Sequence, residues 1–592
     1  MISNPHRPAP SAFPWHLPRR RFVQGLAAGG LLAGSVPAFA DASGPRFGAP
    51  EVLRGTKFHL VIDEMPVNYT GRPAMATTVN GSLPGPTLRW REGDTVTIRV
   101  TNRLREATSI HWHGLILPYD MDGVPGLSFA GIPAGASFTY RFTVRQSGSY
   151  WYHSHSGFQE MRGLCGSIVI DPAQPSAGRT EDREHTVLLS DWSDEDPMRI
   201  LGKLKVQGDY YNYHRPTALD FLRDVSADGM RAALDRRRMW NEMRMSPTDL
   251  ADVSSATLTH LANGTTPAGN WTALFARGET VRLRLVNGSG NTFYDVRIPG
   301  LPLRVVQVDG QEIEPVTVDE FRFGPGETCD VVVTPRDDAY TLFAQTMDRS
   351  GHARATLAVR QGLVAPTPTL DKVEWLAMRD MMGAMDHGGH GGHGMQPMDE
   401  ADDGMQPMQA AADPLAVPGR RVRHASTEYG PGTDMRVDTP RTDLDDPGIG
   451  LRGNGRRVLT LADMRTLGGP PDPRPPGREI ELHLTGNMER YTWSFDGLEF
   501  GRSTPVHFRH GERLRVILHN DTMMTHPMHL HGMWSDVETA DGDFQVRRHT
   551  VPLQPAQRLS FRVSADAVGR WAWHCHLMLH MEAGMFREVV VA

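Results

Sequence analysis

At 592 residues, with a formal net charge of -7 and a pI near 6.4, the chain is too long for one hydrophobic core. Its charges are mixed along the sequence, which excludes a nucleic-acid footprint and leaves no nucleic-acid partner to expect. Three cysteines, Cys165, Cys329 and Cys575, are too few for a disulfide scaffold.

The first element is a leader. Arg19-Arg20-Arg21 precedes Phe22-Val23, a Gly- and Ala-rich weakly apolar stretch, and Ala38-Phe39-Ala40. That is the pattern of a twin-arginine export signal over residues 1–40, with an A-x-A cleavage site. The apolar stretch is too short and Gly-rich to span a bilayer well, and no other transmembrane candidate follows. The expected product is a periplasmic chain exported by the Tat machinery, with no membrane insertion of its mature part.

Internal repeats come next. The segment Gly93-Asp-Thr-Val-Thr-Ile-Arg-Val-Thr-Asn102 returns as Gly278-Glu-Thr-Val-Arg-Leu-Arg-Leu-Val-Asn287 and as Gly511-Glu-Arg-Leu-Arg-Val-Ile-Leu-His-Asn520. Each alternates as a half-buried strand does. The expected fold is all-β, with three β-sandwich domains over 50–175, 183–365 and 455–592.

Two interruptions break the β pattern. Arg215 to Val253 carries apolar residues near helical spacing (Leu219, Leu222, Val225, Met230, Leu234), which predicts a short helical insertion in the second domain at about 213–253. Residues 376–450 form a linker in which Met378, Met381, Met382, Met385, Met395, Met398, Met405 and Met408 alternate with His387, His390 and His393. With no apolar periodicity and much glycine, it is expected to be a flexible loop. Thioethers select Cu(I), and the imidazoles suit Cu(II) or zinc, so additional copper is expected there.

Four His-x-His pairs carry the chemistry: His111/His113, His153/His155, His529/His531 and His574/His576. Side chains two apart on a strand share a face. The pairs supply eight imidazoles, two for a mononuclear copper and three for each member of a dinuclear one. His526, Cys575, His580 and Met585 form a second set, two imidazoles, a thiolate and a thioether, which is the ligand set of a blue-copper electron-transfer site. In His574-Cys575-His576 the thiolate and the imidazoles face opposite sides, so one tripeptide joins the two sites. Structural zinc closes with four ligands, far fewer than these motifs supply. Aligning 151–164 with 572–585 places Ser154 at the Cys575 position, Gln159 at His580 and Leu164 at Met585, with Thr108 at His526. Tyr340–Gln345 of the middle repeat lacks all of them. The cluster is therefore expected between the first and third domains, with the second as a spacer.

These motifs resemble the four copper motifs of multicopper oxidases. Together with Ser190–Pro197 and the Met/His-rich insertion, the resemblance narrows to the CopA/PcoA branch of periplasmic copper-resistance proteins. It implies cupredoxin-like Greek-key domains and four coppers. The type 1 copper would use His526, Cys575, His580 and Met585, and the type 2 copper His111 and His529. The type 3 pair would use His113, His153 and His576 on one ion and His155, His531 and His574 on the other. The implied reaction oxidises Cu(I), with Fe(II) and phenols as further donors, and reduces dioxygen to water; periplasmic copper-handling proteins are expected partners. Cys575 would carry the electrons. Asp122 stands where the family places an acid near the trinuclear site, though Met-Asp-Gly also reads as a turn. Glu582, displaced by one from the position after the type 1 histidine, is the second acid candidate. Asp521, Met523 and Met524, just before His526, would guide Cu(I) inward. A copper-sequestering binding protein and a laccase-type phenol oxidase are the alternative functions. Cys165 and Cys329 are expected as buried thiols, a disulfide between them being the alternative.

Overall fold

The computed structural model describes residues 50–174, 181–243, 245–377, 380, 381, 383 and 422–592. The leader at 1–40 and nearly all of the Met/His-rich segment lie outside them. Six sheets are formed among the described residues, and they fall into three sandwich pairs along the chain.

The repeats predicted from sequence are the central strands of one sheet in each pair. Thr95–Asn102, Val281–Asn287 and Arg513–Asn520 each lie parallel to the strand that opens the domain, with Leu60 opposite Val100, Val187 opposite Leu285 and Leu482 opposite Leu518. Each is flanked on its other side by an antiparallel strand. Their alternating apolar side chains are buried because each sheet packs its inner face on its partner sheet. Only Thr95–Asn102 is half-buried as expected, since Val281–Asn287 and Arg513–Asn520 bury both faces, their arginines paired with carboxylates. The short strand Val458–Leu459 pairs with Glu320–Phe323, so chain leading into the third domain finishes a sheet of the second. The thiols of Cys165, Cys329 and Cys575 are all buried and free.

The helical insertion is present but begins earlier than the sequence suggested. Helices span Pro197–Val206, Ala218–Asp228 and Met230–Met243. The first starts where Asp196 accepts a hydrogen bond from the Met198 amide ahead of Pro197, and it buries Ile200, Leu201 and Leu204. The predicted apolar stripe of the second helix does not face a core: Leu219 and Leu222 are 71% and 62% exposed. Met381, counted from sequence among the soft metal ligands, is instead fully buried in the core.

Candidate metal centre

The histidine motifs stand on matching strands of the first and third domains. His111–His113 pairs antiparallel with Gly148–His153, placing His111 opposite His153. His526–Leu530 pairs with Gly569–Cys575, placing His529 opposite His574. Strand pleat alone does not align the imidazoles, since these strands end at His153, Leu530 and Cys575 and leave His155, His531 and His576 just beyond. The rings still converge, with centroids 4.7 to 5.8 Å apart within the four pairs.

Two triangles result. His113, His153 and His576 have centroids 4.9 to 5.6 Å apart. His155, His531 and His574 have centroids 5.0 to 5.2 Å apart. His111 and His529, 5.8 Å apart, stand beside both. Burial holds His113, His153, His155, His529, His531 and His576 well below the usual imidazole range and His574 at about 4, so their ring nitrogens keep lone pairs.

The outward nitrogens are tied down. His111 Nδ1 donates to the Asp122 carbonyl at 2.8 Å, His529 Nδ1 to the His549 carbonyl at 2.7 Å, and His574 Nδ1 to the Cys575 carbonyl at 2.9 Å. His531 Nδ1 donates to Asp122 Oδ2 at 2.9 Å, and His153 Nδ1 stands 2.5 Å from Glu160 Oε2. With their Nδ1 atoms protonated, His531 and His574 turn unprotonated Nε2 atoms toward each other at 3.0 Å. Facing lone pairs repel unless a cation lies between them. His111, His153, His155 and His529 Nε2, and His113 Nδ1, are buried with no hydrogen-bond partner. These orphaned acceptors fit copper, which imidazoles bind in their neutral form.

Asp122 thus ends the turn Tyr119–Met121 and also orients two imidazoles, through its carbonyl and its carboxylate. Glu582 is not brought to the histidines. It follows His580 by two positions on the short helix Met578–Glu582, about 200° around the axis, so the buried His580 leaves it exposed. A second acid beside the cluster, with Asp122, is Glu160, which no motif position marks in the sequence.

The second set also converges. Cys575 Sγ is 3.5 Å from His526 Nδ1 and 3.8 Å from His580 Nδ1, and the two nitrogens are 3.1 Å apart. All three are buried, as is Met585. Burial pushes the Cys575 thiol well above its usual range, so only a bound cation would hold it as thiolate. Thr522 Oγ1 meets His526 Nε2 at 2.7 Å, and Trp493 stacks on His580 at 3.9 Å. Asp521 does not point here: it accepts from His483 Nδ1 at 2.7 Å and from the Val437 amide at 3.0 Å.

The middle domain is more than a spacer. Asp252, beyond its helices, places a carboxylate oxygen 2.9 Å from His580 Nε2. A cavity of about 600 Å³, which Asp252 does not line, offers Met245, Met488, Asp209, Asp249, Arg215 and Arg237. At the cluster, Asp309 accepts from Arg548 Nε at 2.7 Å and from the His549 and Thr550 amides at 3.2 and 3.1 Å. Gly326 approaches so closely that a Cβ there would stand 2.7 Å from His576 Cδ2. His549 itself, absent from any His-x-His pair, packs on Gly114 and lies 4.8 Å from the His113 ring.

In the first domain the counterparts of the second set form a hydrogen-bond cluster. Thr108 Oγ1 and Ser154 Oγ both donate to Gln159 Oε1, at 2.6 and 2.9 Å, over a buried Leu164.

Comparison with known proteins gives this arrangement its class. Profiles described as multicopper oxidase match residues 62–175, 183–362 and 473–592. The solved structure of Fet3p, a multicopper oxidase that functions in iron import, superposes with a TM-score of 0.62 over 91% of this chain and 90% of that one, at 18% identity. The chain belongs to the multicopper oxidase family and is an oxidoreductase with copper as its cofactor, four ions to the family's pattern. Within the family it falls in the copper-resistance protein A branch. It is 54% identical to a copper resistance protein A homolog of Pseudomonas syringae pv. tomato, over 98% of this chain and all of that one. It is 52% identical to copper resistance protein A of Escherichia coli, over 97% and 99% of the two chains.

Proposed function

We propose that this multicopper oxidase of the copper-resistance type oxidises Cu(I) in the periplasm, after Tat export, and passes the electrons to dioxygen. The observation that carries the cuprous reading is the buried Asp252 carboxylate, 2.9 Å from His580 Nε2, which sets a negative charge against the outer edge of the proposed acceptor site. A carboxylate draws a cation inward, while a phenol would call for a more apolar pocket. The route by Asp521, Met523 and Met524 is set aside, because all three are buried. Burial, then the neighbouring charges of Asp252 and Asp209, push the Asp249 carboxyl well up.

The ligand sets proposed are those read from sequence, with His526, Cys575, His580 and Met585 at the blue site and the eight paired histidines at the trinuclear one. When bound, the coppers supply one-electron oxidation of the donor and four-electron reduction of dioxygen to water. The chain's part is positioning. The Cys575 backbone joins the two sites directly through His574 and His576. Asp122 fixes His111 and His531, and Glu160 fixes His153 and brings a carboxyl that burial pushes well up, able to hold a proton beside the cluster. Among the described residues no helix is long and apolar enough to cross a membrane.

The test is oxygen uptake by the purified copper-loaded protein with Cu(I), Fe(II) and a phenol, each over a range of concentrations. Cu(I) should give the highest kcat/KM. A phenol exceeding Cu(I) would assign a laccase instead, and tight copper binding without oxygen uptake would assign storage.

A further inference from the structure

A second group of metal-ligating side chains lies outside both copper sets. His424 and Glu428 come from the segment 424–437, with Glu428 in the turn Ser426–Tyr429. His483 stands on the strand Glu479–Asn487, and Asp521 follows the strand Arg513–Asn520. Their ligand atoms form a closed ring. His424 Nδ1 is 2.7 Å from Glu428 Oε2 and 3.5 Å from Asp521 Oδ2. His483 Nδ1 is 2.7 Å from Asp521 Oδ2 and 3.5 Å from Glu428 Oε2. All four side chains are buried, none more than 6% exposed.

From this geometry we infer a further metal site, in which His424, Glu428, His483 and Asp521 bind one divalent transition ion, Cu(II) or Zn(II). Ligands about 2.0–2.2 Å from a tetrahedral ion stand roughly 3.3–3.6 Å apart, slightly wider than the ring as it stands. The blue-site atoms of this same chain are spaced alike, at 3.1 to 3.8 Å. Two imidazoles and two carboxylates suit a borderline divalent ion, and nothing in the ring offers Cu(I) a sulfur.

Charge points the same way. Among the described residues, the ion-pair partners of the Glu428 and Asp521 carboxylates are His424 and His483 alone. Arg436 reaches only the Glu428 carbonyl, and Arg587 and Arg423 pair with Asp496 and Glu481. Two buried carboxylates therefore need either two protonated imidazoles or one divalent cation. His519 stacks on His483 at 4.4 Å but gives its own Nε2 to Glu481. The exposed Asp438 carboxylate lies 3.3 Å from His424 Nε2, on the side of the ring away from the four ligand atoms. A bound ion would staple the segment 424–437 to the strand end that leads through Thr522 to His526.

The experiment uses the full chain. Copper-loaded protein is equilibrated with excess Zn(II), desalted and analysed for metal, beside a His424→Gln/Glu428→Gln variant treated identically. The expected result is one divalent ion fewer per chain in the variant, with the blue absorption and oxygen uptake unchanged. Equal metal content would overturn the proposal and leave a cluster of protonated imidazoles on carboxylates. Should the variant not fold, crystals of the native chain measured across the zinc and copper edges decide. A peak enclosed by the four atoms supports the site and identifies its ion; its absence, with the oxidase coppers visible, refutes it.

Discussion

Asp252 of the second domain and His580 of the third meet at 2.9 Å, both buried, with no other acid contacting that imidazole nitrogen among the described residues. A carboxylate so placed meets an incoming cation at the edge of the proposed electron acceptor. Asp252→Asn removes the charge and keeps the shape. It should lower kcat/KM for Cu(I) by on the order of tenfold, about 1.4 kcal/mol, and spare an anionic donor such as ferrocyanide. Oxygen uptake with both donors measures this; equal losses would show that Asp252 only supports the fold.

The two copper sets should separate by mutation. Cys575→Ser should abolish the blue absorption that thiolate ligation gives Cu(II), while His113→Ala should keep it and bring oxygen reduction to background. Spectra and oxygen uptake on the two variants are sufficient. Retained colour in the first, or normal turnover in the second, defeats the assignment.

Asp122 holds His531 through a carboxylate oxygen and His111 through its carbonyl. Asp122→Ala keeps the carbonyl but loses the carboxylate. Copper at the trinuclear site should then be held about 10- to 100-fold less tightly, the usual scale for a lost partner of a metal-binding histidine. Competition against a graded chelator series reads this directly, with the blue copper as internal control.

Gly326 has φ +86° and no room for a Cβ beside His576 and His113. Gly326→Ala should cost roughly 1–3 kcal/mol of stability and impair oxygen reduction before it affects the blue band. Were the middle domain merely a spacer, thermal denaturation and turnover would both be unaffected.

The copper-free chain should be acid-sensitive. Burial lowers His574 and His549 to about 4, while unfolded imidazoles take up protons near 6.5. Below 6.5 the unfolded state therefore binds more protons, and stability present above that pH is lost as pH falls toward 4. Each such histidine contributes about 2 kcal/mol of loss between pH 6.5 and 5. Urea midpoints of apoprotein at pH 7 and 5 should differ accordingly; equal midpoints would mean that these imidazoles are protonated in the fold.

What was legible in the sequence is what sits in short motifs. The strands that carry the histidine motifs could be read directly, though not the convergence of His155, His531 and His576 beyond the strand ends, and three strands repeated in sequence became equivalent strands in space. Asp252, His549 and Gly326 could not be read, because each reaches its histidine from a segment remote in the chain; Glu160, seven positions after His153, was passed over because no motif marks it. The helix Pro197–Val206 did carry a signal, Asp196 ahead of Pro197, but within a stretch matched by resemblance alone. Asp521 was misplaced because proximity in sequence to His526 says nothing of which sheet face a side chain takes once the strand has ended.

The hydrogen bonds of Thr108 and Ser154 to Gln159 bear on how this architecture can change over generations. Reinstating a thiolate at 154 alone would strip one donor from Gln159, and an imidazole at 159 alone would leave Thr108 without its acceptor, each costing about 1–3 kcal/mol before any ion could bind. Four substitutions, at Thr108, Ser154, Gln159 and Leu164, separate the first domain from that ligand set, and three of the four positions are tied to one another by these bonds. The proposed entry of electrons is thereby confined to the third domain.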